Sequence, residues 1–380
     1  MHPTFWKYFA AVSVCTCIFI VVAWLFWPYS SFGELKKIKN ESELSSVVAK
    51  EKTEVQPQKE EVKQNPRLKI FAVGDIMLDR TMLLLAQKYN DFGYAFNLIS
   101  STLKEADLRV ANLEGPITTN KSISNGNGGV RFSFTFSPKV VEPLHENFDM
   151  VSLANNHTTN FGFEGLAQTR QFLDKGSVRY FGDPVNEVGN ISHIVEQNGI
   201  KIGFVGYHEL VGTGFENVIA EVEKIRPSVD LIIAYPHWGT EYIMDKVNTS
   251  QKQEAHAMID AGVDIIIGAH PHVIQPIEMY KEKLIFYSLG NFVFDQYFSL
   301  ETMQGLLLDI DLEKDIENIQ AKVKLIPIHI NKQSQPFVAE MEEREMVLSA
   351  LAHVSSGDEV FKESIRVGML EAIFPLARMK

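Results

Sequence analysis

Cysteine is nearly absent from this chain of 380 residues: there are two, Cys15 and Cys17, and both fall in one apolar run near the N-terminus. Everything after that run is free of thiols, which excludes a disulfide framework there and argues against a thiolate-held structural zinc site. An excess of positive charge is missing as well. Lys and Arg number 36 against 48 Asp and Glu, a formal net charge of -12, so a phosphate backbone finds no overall attraction and nucleic acid is not an expected partner. Long apolar stretches are also scarce after residue 27. The hydrophobic content is nevertheless 45%, distributed through short runs as in a domain with a closed core.

The one long run, residues 8–27, carries no charge and is about the length needed to cross a bilayer. Trp6, Tyr8, Trp24, Trp27 and Tyr29 lie near its ends, where amphipathic rings favour the headgroup region. No small-residue cleavage pattern follows, so the run reads as an uncleaved anchor rather than a signal peptide. Lys7 before it and Lys36, Lys37 and Lys39 after it leave the orientation open by charge counting. The expectation is a single-pass protein of the cell membrane with its folded part outside the cytoplasm. Residues 1–7 form a short N-terminal segment, 8–27 the transmembrane anchor and 28–66 a disordered polar tether rich in Glu, Lys, Gln, Ser and Val.

From residue 67 to about 330, short apolar runs alternate with segments of helical character at residues 80–89, 162–175, 218–225 and 250–261. Such alternation predicts an α/β domain with largely buried strands. Residues 120–129 (NKSISNGNGG) read as a flexible loop. Residues 331–380 change character, with a charged helical stretch around 340–353 and an amphipathic one around 360–374, and are read as a C-terminal helical extension without chemistry of its own.

Six of the apolar runs end in a side chain able to bind metal or move a proton. They are LKIFAVGD at Asp75, LRVANLE at Glu114, FDMVSLANNH at Asn156 and His157, VDLIIAYPHWG at His237, VDIIIGAHPH at His270 and His272, and KLIFYSLGN at Asn291. Ligands of open α/β sheets gather outside the carboxyl ends of the strands, so these side chains are expected to converge on one cavity. Asp75 and Glu114 offer the oxygen that hard cations favour, although Asp75 alone also reads as a turn residue or helix cap. His270 and His272 flank Pro271, and in an extended backbone both imidazoles point to the same side. With His237 they make three nitrogen ligands. Imidazole combined with carboxylate and amide oxygen suits Zn, Mn or Fe better than Ca, as one or two divalent ions. An Asn156 oxygen can join them while His157 serves as acid or base near neutral pH, or the Asn pair caps a helix. Arg80 either steadies an anionic substrate or is a surface residue at a helix start.

In chain order, GDIMLDR (74–80), ANLEGPIT (111–118), SLANNHTTNFG (152–162), HWGTEY (237–242), GAHPHVIQPIE (268–278) and YSLGNFVFDQ (287–296) resemble the signature of the poly-γ-glutamate capsule biosynthesis protein family, CapA. The resemblance covers about residues 68–296. It implies a calcineurin-like metallophosphoesterase fold, a two-sheet β-sandwich with helices outside, and an N-terminal anchor on a bacterial cell. It also implies roles: Asp75 as the first metal-binding aspartate, Glu114 as bridging carboxylate, Asn156 as amide ligand, and His237, His270 and His272 as imidazole ligands. His157 matches the histidine that assists the leaving group. Two positions depart, with Met77 where metallophosphoesterases commonly have His and Asn160 where CapA-like sequences usually have Asp. The implied function is a metal-dependent, hydrolase-like component of capsule or cell-surface polymer synthesis and export. It would handle an anionic polymer or phosphoester beside integral-membrane polymer synthase subunits. The alternative is a non-catalytic scaffold subunit that keeps the fold.

Overall fold

The structure is a computed structural model and describes residues 65–124 and 132–376. The chain first lays down β1 (Arg67–Ile76), β2 (Leu108–Leu113), β3 (Met150–Ser152) and β4 (Arg179–Phe181), mutually parallel in one sheet. It then builds a second sheet from β5 (Ser192–Gln197), β6 (Ile200–His208), β7 (Leu231–His237), β8 (Ile265–Ile267), β9 (Ile277–Tyr280) and β10 (Lys283–Phe286), in the order β5-β6-β7-β8-β10-β9. Finally it returns to the first sheet with β11 (Asn291–Val293), β12 (Gln304–Lys314), β13 (Asn318–Ile330), β14 (Pro336–Val338) and β15 (Met369–Pro375). β12 pairs antiparallel with β1, β13 follows β12, and both β14 and β15 pair with β13.

Side-chain alternation explains why two sheets stack. On β1, Leu68, Ile70 and Ala72 face a core shared with Ile202 and Phe204 of β6 and Leu231, Ile233 and Tyr235 of β7. The intervening Phe71 and Val73 face the other way, against Phe96, Leu144 and Leu173 of the flanking helical layer. Ile232 and Ala234 of β7 likewise pack outward on Val218 and Val222 of helix Phe215–Ile225 and Met258 of helix Thr249–Ala261. With a period of two, a strand that is apolar on both faces is buried only between two layers. The mixed α/β class and the two-sheet architecture with helices outside are therefore as expected.

Residues 331–376 do more than add helices. Helix Met341–Val354 places Val347, Leu348, Leu351 and Ala352 in the inter-sheet core. The 360–374 stretch is not one amphipathic helix: helix Glu359–Val367 stops at Gly368, whose φ of 75° is left-handed, and Met369–Pro375 becomes a strand with strictly alternating burial.

The expectation of a single-pass membrane protein requires correction. Among the described residues no helix is long and apolar enough to cross a membrane. The 14-residue helices Gly162–Lys175 and Met341–Val354 reach about 21 Å against roughly 30 Å of hydrocarbon. Residues 8–27, on which that expectation rested, lie outside the described residues, as do residues 28–64.

The carboxyl ends of the two sheets meet at one edge. Asp75 is in register with Asn112 of β2 and with Asn291 of β11, while His208 of β6 is in register with His237 of β7. Gly74 allows the closest of these approaches, because a Cβ there would lie 1.9 Å from the Gly290 carbonyl oxygen. That contact lets the Asp75 N–H donate to Gly290 O at 3.1 Å and seats the strand end against the loop leading into β11.

Candidate metal centre

Asp75 is fully buried near the end of β1. Its Oδ1 accepts from Asn112 Nδ2 at 2.8 Å and its Oδ2 from the His270 backbone N–H at 3.2 Å. Glu114 directly follows β2, and its N–H donates to Ile76 O at 2.9 Å. Its carboxylate is also fully buried, yet neither oxygen has a hydrogen-bond partner among the described residues. His237 ends β7, with Nδ1 3.2 Å from Asn112 Nδ2 and Nε2 3.0 Å from Asn156 Oδ1. Two neighbouring ligands about 2.1 Å from a shared ion adopt a similar separation. Asp75, Glu114 and His237 offer ligand atoms that all lie within 4.8 Å of one another, and so do Glu241, His270 and His272.

His270 and His272 do converge, with ring centroids 5.9 Å apart and His270 4.7 Å from His237. The route differs from the extended backbone expected. Both residues have positive φ, 96° and 59°, so the chain curls over the site rather than running past it. Non-glycine residues rarely adopt such angles, and they persist where surrounding contacts enforce them. His272 Nδ1 lies 3.0 Å from Asn291 Oδ1 and 3.2 Å from Asp75 Oδ2. Both are acceptors, so Nδ1 carries a proton, and Nε2 lies 3.7 Å from Glu114 Oε1.

The electrostatics fit a cation. Burial pushes the Glu114 carboxyl well above the usual range, helped by Asp75 and Glu241 and opposed by Arg80. Burial likewise holds His237 well below the ordinary imidazole value, His270 down to about 3 and His157 down to about 4. Neutral imidazoles facing a buried carboxylate without a hydrogen-bond partner among the described residues form a donor set that a divalent ion would satisfy.

These depressed histidines carry a pH prediction. An unfolded histidine takes up a proton below about 6.5 and a buried one refuses it, so stability falls as pH drops below that value. His157, His193, His208, His237 and His270 act in this sense. Glu114, Asp309, and Glu254 raised to about 7, act oppositely. Five against three leaves stability falling as pH drops below about 6. Urea unfolding of the metal-free protein at pH 7 and pH 5 should therefore show the lower midpoint at pH 5. An equal or higher midpoint there would remove the assignment of neutral buried imidazoles.

His157 stands at the rim, its Nε2 3.7 Å from Glu114 Oε1 and its ring 4.3 Å from Phe134. Asn160 takes the orienting position: Oδ1 accepts from the Phe134 N–H at 2.7 Å and lies 3.0 Å from His157 Nδ1. Nδ1 is thus the protonated nitrogen, and a neutral amide holds the ring where a carboxylate would also have stabilised its charged form. Asn155, buried beside it, locks the turn by accepting from His157 N, Thr158 N and Thr158 Oγ1. Arg80 is neither a free cation nor an exposed helix-start residue. Its guanidinium is paired with Asp295 and lies over the rings of Phe134 and Phe294, 5.2 and 5.4 Å from their centroids.

Sequence reasoning missed Asn112, the amide between Asp75 and His237, and Glu241. Asn112 was detectable as the residue two before Glu114 on the same strand face. Glu241 lies four residues past a strand end, in a turn, where no periodic pattern points to it.

Residues 69–296 match the family described as bacterial capsule synthesis protein PGA_cap. The chain belongs to this family. It is 29% identical over 317 residues to the capsule biosynthesis protein CapA of Bacillus anthracis, covering 78% of this chain and 75% of that one. It is 31% identical over 295 residues to the PGA biosynthesis protein CapA of Bacillus subtilis (strain 168), covering 71% and 75%. Among solved structures it is similar to a putative 5'-nucleotidase from Staphylococcus aureus, with a TM-score of 0.43 and 16% identity over 79% of this chain and 57% of that one. A likeness at that level assigns no chemistry. Every residue of both triads lies inside the family-matched span, whereas β12 to β15 complete the sheet beyond it.

Proposed function

We propose that this PGA_cap protein serves capsule poly-glutamate biosynthesis through a metal-dependent, hydrolase-like centre of metallophosphoesterase type. Its relatives named for capsule and PGA biosynthesis support the pathway. The observation that carries the centre is Glu114, whose buried carboxylate has no hydrogen-bond partner on either oxygen among the described residues and faces Asp75, His237 and His272. Asp75, Glu114, Asn156, His237, His270 and His272 would hold one or two divalent ions of the Mn, Zn or Fe kind. Bound there, such an ion would polarise a phosphoryl or acyl oxygen and lower the pKa of a coordinated water.

The chain's own residues supply orientation and a proton site. Asn112 positions Asp75 and His237 from one amide, and Asn160 fixes the tautomer of His157. In the free protein His157 Nε2 bears a lone pair. An anionic group entering beside it would raise its pKa, so the ring takes up a proton in that complex and can return it to a leaving group.

One observation favours the second reading, a scaffold for polymer synthase subunits. Met77 is fully buried, and its thioether accepts from the Asp79 N–H at 3.1 Å, so this position supplies no ligand. Metal content separates the readings. Purified wild-type protein should carry Mn, Zn or Fe by elemental analysis and turn over an aryl phosphoester. His237→Ala should lose most of the metal with little change in circular dichroism. Equal metal in the two proteins would sink the ligand assignment, and a metal-loaded wild type without turnover on phosphoesters or amides would favour the scaffold.

A further inference from the structure

An apolar cavity of about 140 Å³ lies next to the candidate centre. Met244, three residues past Glu241, and Ile274, two past His272, form one wall, Leu300 a second, and Met346, Val347 and Leu351 of helix Met341–Val354 a third. We infer that this cavity receives the tail of the site's substrate, so that the centre takes an amphiphilic phosphoester, with an anionic head at the metal ligands and an alkyl-type chain running from them into the cavity. This rests on the reading of the centre as hydrolase-like and adds to it the class of substrate.

Two segments lead from the centre to the cavity, and both are fixed by hydrogen bonds. The Tyr242 N–H donates to Pro271 O at 2.8 Å and Gln275 Nε2 to Ile243 O at 2.8 Å, so residues 242–244 run beside residues 271–275 and bring Met244 to Ile274. Asn291 holds the second segment. Its Oδ1 lies 3.0 Å from His272 Nδ1, while its Nδ2 donates to Gln296 Oε1 at 3.0 Å and to Thr302 O at 2.9 Å. Gln296 Nε2 donates in turn to Tyr242 Oη at 3.1 Å and ties the two segments together. At the centre they carry Tyr242 and Phe298, packed edge to face at 5.0 Å, with the Tyr242 ring 6.0 Å from that of His272. Two residues further along each, at most about 7 Å of chain, Met244 and Leu300 line the cavity.

Tyr242, Phe298, Leu300 and Met346 are between 41% and 65% exposed, so the apolar track and the cavity mouth are open to solvent. A contiguous apolar surface in water is unfavourable until an apolar group covers it. A cavity of about 150 Å³ with aliphatic walls accepts a guest of benzene size, so this one has room for about six carbon atoms. Methionine on two walls suits a flexible chain. The polar lining excludes the opposite orientation. Gln304 is engaged, donating from Nε2 to Glu343 Oε1 at 2.8 Å, and Glu301 is the one charged residue of the lining among the described residues, a carboxylate that repels an anionic head.

Hydrolysis of an alkyl phosphate adds water across the P–O bond and releases inorganic phosphate and the alcohol, so the full chain can be assayed by phosphate release from ethyl, hexyl and decyl phosphate below their micelle concentrations. Each buried methylene is worth roughly threefold to fourfold, so kcat/KM should rise at least about tenfold from ethyl to hexyl and little further to decyl. Ala350→Phe, which fills the mouth from an exposed helix position, and Leu300→Gln should each bring the hexyl-to-ethyl ratio to within about twofold. Binding is read without turnover from the methyl resonances of 13C-labelled methionine: hexylphosphonate, which has no ester to hydrolyse, should shift Met244 and Met346, and methylphosphonate should not. Equal kcat/KM on the three esters, or unmoved methionines, would overturn the tail site and leave a hydrolase-like centre in place. Hexanol binding as tightly as hexylphosphonate would also overturn it, because the cavity would then take an apolar group, such as a partner's side chain, with no head at the centre. Methionines shifted by hexylphosphonate without phosphate release from any ester would uphold the amphiphile site and remove the hydrolytic reading.

Discussion

His157→Ala is expected to lower kcat by about a hundred to ten thousand fold on an alkyl phosphoester while leaving bound metal unchanged. The geometry separates the two effects. Asn156, whose Oδ1 is 3.0 Å from His237 Nε2, is one of the proposed ligands, whereas the His157 ring turns to Asn160 and Phe134, with Nε2 3.7 Å from Glu114 Oε1. Loss of a proton donor matters most when the leaving group is a poor one. An aryl phosphoester with a nitro-substituted leaving group should therefore lose much less rate than the alkyl ester in the same variant. Elemental analysis alongside turnover checks both halves. Equal rate losses on the two esters would make His157 a binding or structural residue, and a parallel loss of metal would make it a ligand.

The second large effect is on stability. Glu114→Gln should stabilise the metal-free protein and abolish its stabilisation by metal. In the wild type, burial and the neighbouring Asp75 and Glu241 oppose the ionised carboxylate more than Arg80 favours it, and among the described residues no hydrogen-bond donor relieves it. A glutamine of the same shape removes that charge, and its amide protons can turn towards the lone pair of His157, 3.7 Å from Glu114 Oε1. The ion reverses the balance. At a hundred times its Kd a native-state ligand adds about 2.7 kcal/mol, or at least several degrees in Tm for a domain of this size. Thermal melts of both proteins with and without Mn2+ read this directly. A metal-induced shift as large in Glu114→Gln as in wild type would show that Glu114 holds no ion.

Each of the candidate ligands is the residue at, or just beyond, the end of an apolar run, and that much is local information. A strand's period of two and a helix's period of 3.6 are visible in a dozen residues, so the alternation of elements, the α/β class and Asp75, Glu114 and His237 as strand-end residues could all be read from the chain. The same local rule led astray where the backbone departs from regular angles. His270 and His272 were expected to share a side by strand alternation, and instead reach the site through two positive-φ residues held by Asp75 and Asn291.

What only the tertiary structure decided are relations between segments far apart in sequence. Nothing local says that residues 369–375 pair with β13, because a strand's partner is set by which sheet edge remains open once the rest has folded. The pairing of Arg80 with Asp295, 215 positions away, turns a candidate anion-binding residue into half of an ion pair. Glu241 enters the site only because two backbone hydrogen bonds bring its turn against residues 269–271. By itself the sequence determined the kinds of donor atom and the strand ends that carry them, since these follow from residue type and periodicity. Their grouping into a buried and a half-exposed triad was decided by how the two sheets abut, because burial belongs to the packed whole and not to any one segment.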